Sequence, residues 1–491
     1  MKMNRSTPIS RWIFDEYQVR PESLGIGRII FASSLLLMGY PRYLWLGKFP
    51  DSFYVPPLGL GLLFRGQPPL IVLWGLFFLA MVLTIGLLLG WRTRFSGLAL
   101  AAVTLVGNSF EYSFGKIDHD ILIFSTLVTM SFSDWGNRFS IDQIRRRPED
   151  QNSYWAGAML AMVIGLGMFS AFLPKLSGGW LNPSVSSSEG HLIYNFVISE
   201  HPTWLGQAMI DHLPLLGWKF LDWSTMIIEI SFLFAMFSRQ AMRWVCAAAV
   251  FFHAGIDFSM DIFFYPSLLA YAMFVDWDWL LEYSVFRKSL GFFTKILCRL
   301  NGFSILIFGG GLTLLYGCTG NPAIRLFGRR NVEVALTVVS CVLCIFCIAA
   351  GLRRWWRSRS SDTPLILFDG TCGLCDRWVS FVLSHDRNGN FRFAALQSES
   401  GRAALERCKL PPDYVDSIVM ARGTRATRYS TAVLETLREL PAPWSFAYAC
   451  ILVPPVIRDW IYDAIAATRH RFPPMLKTCR SLSPEQKARF I

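Results

Sequence analysis

The chain has 491 residues, 53% of them hydrophobic and only 17% charged, with a mean hydropathy of +0.37. Soluble chains of this size carry more charge, so the composition excludes an ordinary soluble globular protein and indicates a polytopic membrane protein with a soluble piece. The net charge of +12 fits basic cytoplasmic loops rather than nucleic-acid binding, and the scattered cysteines form no framework of the kind small secreted domains show.

The opening segment, MKMNRSTPISRWIFDEYQ, has no small-residue cleavage site after a short apolar core, and residues 8–20 read as an amphipathic helix on the membrane surface. About ten spans follow, at roughly 25–46, 70–90, 95–112, 118–135, 153–174, 214–237, 241–258, 262–281, 301–317 and 332–351. Residues 176–213 form a polar-aromatic loop of the length that often carries function, and residues 282–300 read as interfacial. Beyond Arg353 the composition changes: 353–363 is a basic linker and 364–491 reads as a soluble α/β domain. The expected plan is a membrane domain over 1–285, two further spans with the linker over 286–363, and a dithiol domain over 364–491. The fold class is a polytopic α-helical membrane bundle followed by a small thioredoxin-like α/β domain.

Lys and Arg set the expected orientation. They are dense before the first span (Lys2, Arg5, Arg11, Arg20) and recur at Arg92 and Arg94, Arg138 with Arg145 to Arg147, Arg239 and Arg243, Arg287 with Lys288, and Arg353 to Arg359. With ten spans these fall on one side, taken as cytoplasmic; Arg325, Arg329 and Arg330 fall on the other and run against the rule. The C-terminal domain is then cytoplasmic. The segments holding Lys116 to Asp120, Lys175 to His212, and Asp257 to Asp261 are external.

In LILFDGTCGLCDRW, Cys372 and Cys375 follow a buried-strand pattern and open a helix pattern, CDRWVSFVLSH. A helix N-terminus presents unpaired N–H groups and a partial positive charge that stabilise a thiolate. Cys372 is expected to be the more exposed, attacking sulfur and Cys375, one turn in, the resolving thiol. The order continues as strand FRFAAL, helix SESGRAALERC, strands SIVMA and TRATRYS, and helix TAVLETLREL. Half of a zinc site is the rival reading, but no second C-x-x-C or C-x-x-H follows; two inert thiols are another. No metal site is expected.

These residues resemble a family. LFDGTCGLCDRWVSF, RFAALQSESGRAAL, YSTAVLETLREL and IYDAIAATRHRF are similar, in order, to the DCC-type thiol-disulfide oxidoreductase domain over residues 364–473. The resemblance implies a thioredoxin-like fold with Cys372 and Cys375 as the redox pair. Thioredoxins proper place a cis-proline directly before the third strand, facing the dithiol; VDSIVMA has no proline there, and Pro411 and Pro412 lie earlier.

Within or beside the spans lie Glu111, Lys116, Asp118, His119, Asp120, Lys175, Glu229, His253 and Asp257. Ionisable groups there are costly and mark functional sites by default, the bland alternative being helix-end anchors and interhelical pairs. Glu229, in the middle of STMIIEISFLF, needs a partner or a proton. KIDHDILIFSTLVTMSFSDWGNRFSID, FSAFLPKLSGGWL and FFHAGIDFSMDIFFYPSLLAYAMFVDW resemble the HTTM domain shared with vitamin K-dependent gamma-carboxylases, over roughly residues 18–285. The resemblance implies that Lys175 is a base toward a hydroquinone and that His119 and His253 belong to the same site, expected to form one external-facing cavity. The carboxylase's large luminal domain has no counterpart here, so glutamate carboxylation itself is not expected. Cys341, Cys344 and Cys347 recur along the last span, where a thiol relay competes with plain apolar packing.

Three functions stay open on the sequence. The first is a membrane-bound thiol-disulfide oxidoreductase exchanging electrons with a protein or small-molecule thiol, with a quinone the cofactor or substrate suited to the bundle. The second is a maturation or export factor for a secreted peptide, and the third a non-enzymatic membrane scaffold. The lipid membrane, in a bacterial inner-membrane setting, is the partner common to all; nucleic acid is not expected.

Overall fold

The computed structural model describes residues 7–41, 43–56, 60–114, 119–145, 155–199, 202–298, 300–360, 363–386, 389–471 and 484–491. The chain divides into two compact units: Ile13–Cys347, and Ile348–Ile491 together with the N-terminal residues through Trp12. The N-terminal segment is helical over Pro8–Glu16, a single-turn α1 (Pro8–Arg11) running on into a π-helical stretch (Trp12–Glu16), and it ends short of the expected residue 20.

The larger unit is helical: α2 (Pro21–Met38), α3 (Leu70–Leu89), α4 (Thr93–Glu111), α5 (Ile121–Met130), α6 (Ile141–Arg145), α7 (Trp155–Ser177), α8 (Ser187–Ser199), α9 (Trp204–His212), α10 (Leu215–Ala235), α11 (Arg239–Met260), α12 (Tyr265–Tyr271), α13 (Ser284–Leu297), α14 (Gly302–Thr319), α15 (Pro322–Phe327) and α16 (Arg329–Ser360), the last running on into the other unit. Six stretches among the described residues are long and apolar enough to cross a membrane: α2, α3, α7, α11, α14 extended through α15, and the first 22 residues of α16. The count of about ten is not confirmed by these helices. The apolar runs expected at 118–135 and 262–281 contain helices of 10 and 7 residues, about half or less of the ~20 residues a hydrocarbon core requires. α4 and α10 have the length but mix polar and charged groups into the run, and α10 holds Lys219, Asp222 and Glu229.

Two of those α10 charges are structural. Lys219 Nζ lies 2.7 Å from Asp222 Oδ2 and donates to the carbonyls of Trp180 and Val185, while Asp222 accepts from the backbone N–H groups of Ser187 and Ser188 at the start of α8. This buried pair ties the segment after α7 to α10, and with its hydrogen-bonding capacity met its desolvation is offset. Asp257 is closed in the same way. Arg330 pairs with its carboxylate and carbonyl, Arg330 also lies 2.8 Å from Asp261, and the Thr337 hydroxyl donates to Asp257 at 2.5 Å. Arg329 lies 2.7 Å from Glu333. Two of the three arginines that ran against the orientation rule are thus neutralised by carboxylates.

The smaller unit holds a four-stranded sheet in the order β2-β1-β3-β4, built from β1 (Leu365–Phe368), β2 (Arg392–Ala395), β3 (Val419–Arg422) and β4 (Arg425–Arg428). β1 runs parallel to β2 and antiparallel to β3, and β3 pairs antiparallel with β4. Helices α17 (Gly373–His385), α18 (Glu399–Arg407) and α19 (Tyr429–Glu439) follow β1, β2 and β4, and α20 (Pro455–Ala467) comes after them. This is the element order expected from the sequence. Alternation along β1 sorts its side chains: Ile366 and Phe368 pack with Val379, Val382 and Leu383 of α17, whereas Leu365 and Leu367 pack with Ala404 and Leu405 of α18. The C-terminal residues rejoin the sheet: Phe393 N–H donates to the Arg489 carbonyl at 2.9 Å, and Ile491 N–H to the Phe393 carbonyl at 3.0 Å.

Candidate functional site

The dithiol sits where β1 leaves the sheet. The strand is fully buried, and the chain must turn at Asp369 and Gly370 to start α17. The Asp369 carboxylate organises that turn, accepting from Thr371 N–H at 2.9 Å, the Thr371 hydroxyl at 2.7 Å and Gln397 Nε2 at 2.8 Å. An aspartate bonding the backbone two residues on is a standard turn former. Burial works to raise its pKa, but these hydrogen bonds prevail and hold it below the usual carboxylate value. The carbonyl end of Gln397 accepts from Gly370 N–H at 3.2 Å, so one amide side chain grips both turn residues. Nothing in the spacing of the motif marked Gln397.

Cys372 is the N-cap of α17, with extended backbone (φ −99°, ψ 115°); its N–H donates to the Asp369 carbonyl at 3.2 Å and its carbonyl accepts from Asp376 N–H at 3.1 Å. Its sulfur therefore stands at the helix end that carries unpaired N–H groups and a partial positive charge. Cys375, one turn in, packs against the core beside Trp378. Burial and the hydrogen bond with Cys372 push the Cys375 thiol up to about 12. The expected order of exposure is reversed: Cys372 is 9% exposed and buried, whereas Cys375 is half-buried. Exposure here is set by chain segments distant in sequence, which the motif does not encode. Neither cysteine is joined in a disulfide, and among the described residues no group of three or more His, Cys, Asp or Glu side chains could hold a metal ion.

Next to the dithiol, the position before β3 that a proline occupies in thioredoxins is Ile418. Its N–H donates to the Tyr462 hydroxyl of α20 at 3.1 Å. Burial pushes that hydroxyl up to about 12. α20 is anchored from several sides. Arg458 donates to the Val453 carbonyl at 2.7 Å and the Ser430 hydroxyl at 2.9 Å; Ser430 donates to Asp459; and Arg11 of α1 lies 2.7 Å from Asp463 and 3.9 Å above the Tyr429 ring.

In the membrane unit, Lys175 lies near the C-terminal end of α7. Its Nζ is 2.7 Å from Glu229 Oε1, donates to the Ala171 carbonyl at 3.0 Å and lies 5.2 Å from the centre of the Trp180 ring. Glu229 thus has the partner its mid-helix position required. His253, buried in α11, has Nε2 3.2 Å from the Tyr271 hydroxyl and stacks on Phe264 at 4.3 Å. His119 meets the same Phe264 edge-on at 4.8 Å. The structure therefore brings His119 and His253 to one aromatic ring and Lys175 to a carboxylate. Phe232, three residues beyond Glu229 on α10, stacks on Tyr271 at 5.7 Å and links the two groups. Lys116 and Asp118 lie outside the described residues. Cys344 faces α11, its thiol donating to the Ala247 carbonyl at 3.8 Å.

A helical unit with several candidate membrane spans, joined to a small α/β unit that carries a dithiol at a strand-to-helix turn, defines a multi-pass membrane protein with a thiol-disulfide oxidoreductase-like domain. The chain belongs to the HTTM domain family, matched over residues 17–279, and carries a DCC1-like thiol-disulfide oxidoreductase domain over residues 366–474. It is similar to the uncharacterized protein YuxK of Bacillus subtilis, 35% identical over 134 residues, which is 27% of this chain and 98% of that protein. It is also similar to a chloroplastic DCC family protein of Arabidopsis thaliana, 39% identical over 108 residues, 22% of this chain and 63% of that protein. No solved structure matches.

Proposed function

We propose that this protein is a membrane-anchored thiol-disulfide oxidoreductase whose Cys372–Cys375 pair works on the cytoplasmic face. The observation that carries this reading is the pair itself: Cys372 occupies the N-cap position of α17, and Cys375 lies one turn further on, within hydrogen-bond reach of it. The Cys372 thiolate attacks a disulfide RSSR and forms a mixed disulfide, releasing RS⁻. Cys375 then loses its proton to the first RS⁻, which leaves as RSH, and attacks the Cys372 sulfur, releasing the second RS⁻. The substrate is reduced by two electrons and the pair is left as a disulfide, which a thiol of the reducing cytoplasm returns to the dithiol. The test is single-turnover reduction of bis(2-hydroxyethyl) disulfide by the reduced full-length protein in detergent. Cys372→Ser should abolish the reaction; an unchanged rate would refute the reading.

For the bundle we propose a site around Lys175, His119 and His253 for a quinone-like or lipid substrate. The Lys175–Glu229 pair and the aromatic setting of the two histidines, Phe264 and Tyr271, support it. Quinone copurifying with the wild type but lost from Lys175→Met would be the expected result; no quinone in either would count against it.

A further inference from the structure

Ile418, in the core cluster against which Cys375 packs, lies just outside the sheet's ladders. The β1–β3 ladder ends at Leu367 opposite Val419, so the N–H of Ile418 lies one residue beyond its last pair. A donor in that position is what an extended peptide needs in order to align its backbone next to a reactive sulfur, since strand-like docking draws its affinity from main-chain hydrogen bonds. The donor is already taken by the Tyr462 hydroxyl at 3.1 Å.

We infer that Tyr462 is a specificity-determining residue that closes the peptide-docking position beside Cys372 and Cys375, so that the dithiol in this conformation accepts low-molecular-weight disulfides and disfavours extended protein segments. The inference rests on the redox reading proposed above. Tyr462 is held in place on both sides. Its ring meets Tyr429 edge-on at 5.7 Å, and Tyr429 opens α19 with φ of 52°, a left-handed conformation that a bulky residue adopts only when its surroundings impose it. The helix that carries Tyr462 is fixed by Arg458 to Ser430, by Asp459 to the same Ser430, and by Arg11 to Asp463. A protein substrate would have to displace the hydroxyl and shift this anchored helix, leaving Ile418 N–H unpaired until its own backbone replaced the bond. A small disulfide needs only access to one sulfur. The electron balance is unchanged: the small disulfide gains two electrons, the pair loses them, and one thiol and one thiolate leave.

The test measures single-turnover rate constants of the reduced full-length protein in detergent with bis(2-hydroxyethyl) disulfide and with insulin. The wild type should react much faster with the small disulfide. Tyr462→Ala should raise the insulin-to-small-disulfide ratio at least tenfold. Tyr462→Phe, which removes only the hydroxyl and keeps the ring on Tyr429, should raise it about threefold or more. Loss of the fold in the alanine variant would lower both rates together, and the phenylalanine variant then decides. Equal wild-type rates on the two substrates, or an unchanged ratio in the phenylalanine variant, would overturn the gate and leave the redox reading standing. Wild-type reaction with neither disulfide would overturn both.

Discussion

Lys175 Nζ lies 2.7 Å from Glu229 Oε1, and the second carboxylate oxygen of Glu229 is buried with no hydrogen-bond partner. A buried carboxylate satisfied on one side only depends heavily on its cation. Removing one member of such a pair costs about 3–5 kcal/mol, whereas replacing both by apolar groups of similar size is often neutral. Lys175→Met and Glu229→Leu should therefore each lower the thermal midpoint of the purified protein by several degrees, and the double variant should recover most of the loss. Equal, additive losses would mean that the two side chains do not depend on each other. The double variant is then the right background for asking whether Lys175 has a chemical role, because it separates chemistry from an orphaned charge.

Arg330 provides a second case. It reaches Asp257 and Asp261, and Thr337 also donates to Asp257, which is 1% exposed. Arg330→Ala should reduce folded yield and lower the thermal midpoint, and Asp257→Asn in the same chain should restore part of it by removing the uncompensated charge. Detergent-solubilised yield and differential scanning fluorimetry report both effects.

The two arginine contacts also show where sequence reading stopped. The strand, turn and helix around Cys372 were legible because the motif, its apolar alternation and its turn residues are all local, and the order through α19 followed from the same signals. Glu229 announced its need for a partner by its place mid-helix, but not that Lys175, 54 residues away, would supply it. Arg330 counted against the orientation because its charge was read without Asp257. The anchoring of α20 by Arg11 joins residues 452 apart, and no local pattern carries such a contact. The exposure of Cys372 failed for a related reason: the motif fixes its place at the helix start, whereas tertiary packing fixes how much of it solvent reaches.

The thiol of Cys375 is pushed up to about 12, first by burial and then by its bond with Cys372. Its thiolate, the charged form, is disfavoured, so its reactivity should rise with pH well beyond the range of an ordinary cysteine near 8.5. In Cys372→Ser, where burial remains as the leading cause, iodoacetamide alkylation of Cys375 should still show a midpoint above 8.5, measured by mass spectrometry of the quenched protein. A midpoint at or below that value would remove the reason for assigning Cys375 the second step. The complementary variant, Cys375→Ser, should accumulate a mixed disulfide on Cys372, because no second thiol is left to release it.

Arg11 makes its contacts with Asp463, Asp459 and the Tyr429 ring inside the unit that contains the dithiol, so α1 and α20 are packed together. With α1 and α20 on one side of the membrane, the chain between them crosses it an even number of times. Among the described residues, six helices have the length and apolarity to cross, which is an even number when each of them does so. On the orientation proposed above, the basic segments before α2 and at the end of α16 face the cytoplasm, as the positive-inside rule expects. A membrane-impermeant maleimide should leave Cys372 and Cys375 unlabelled in intact cells and label them once the cells are permeabilised. Reporters fused to either end should both read as cytoplasmic. Labelling in intact cells would reverse the orientation, and opposite readings at the two ends would break the even count. The contact itself is tested by exchange of charge. Arg11→Asp alone should cost about 1–2 kcal/mol, less than a fully buried pair because Asp463 is about a third exposed. Asp463→Arg in the same chain should restore part of that loss if Arg11 and Asp463 hold each other, and should add to it if they do not.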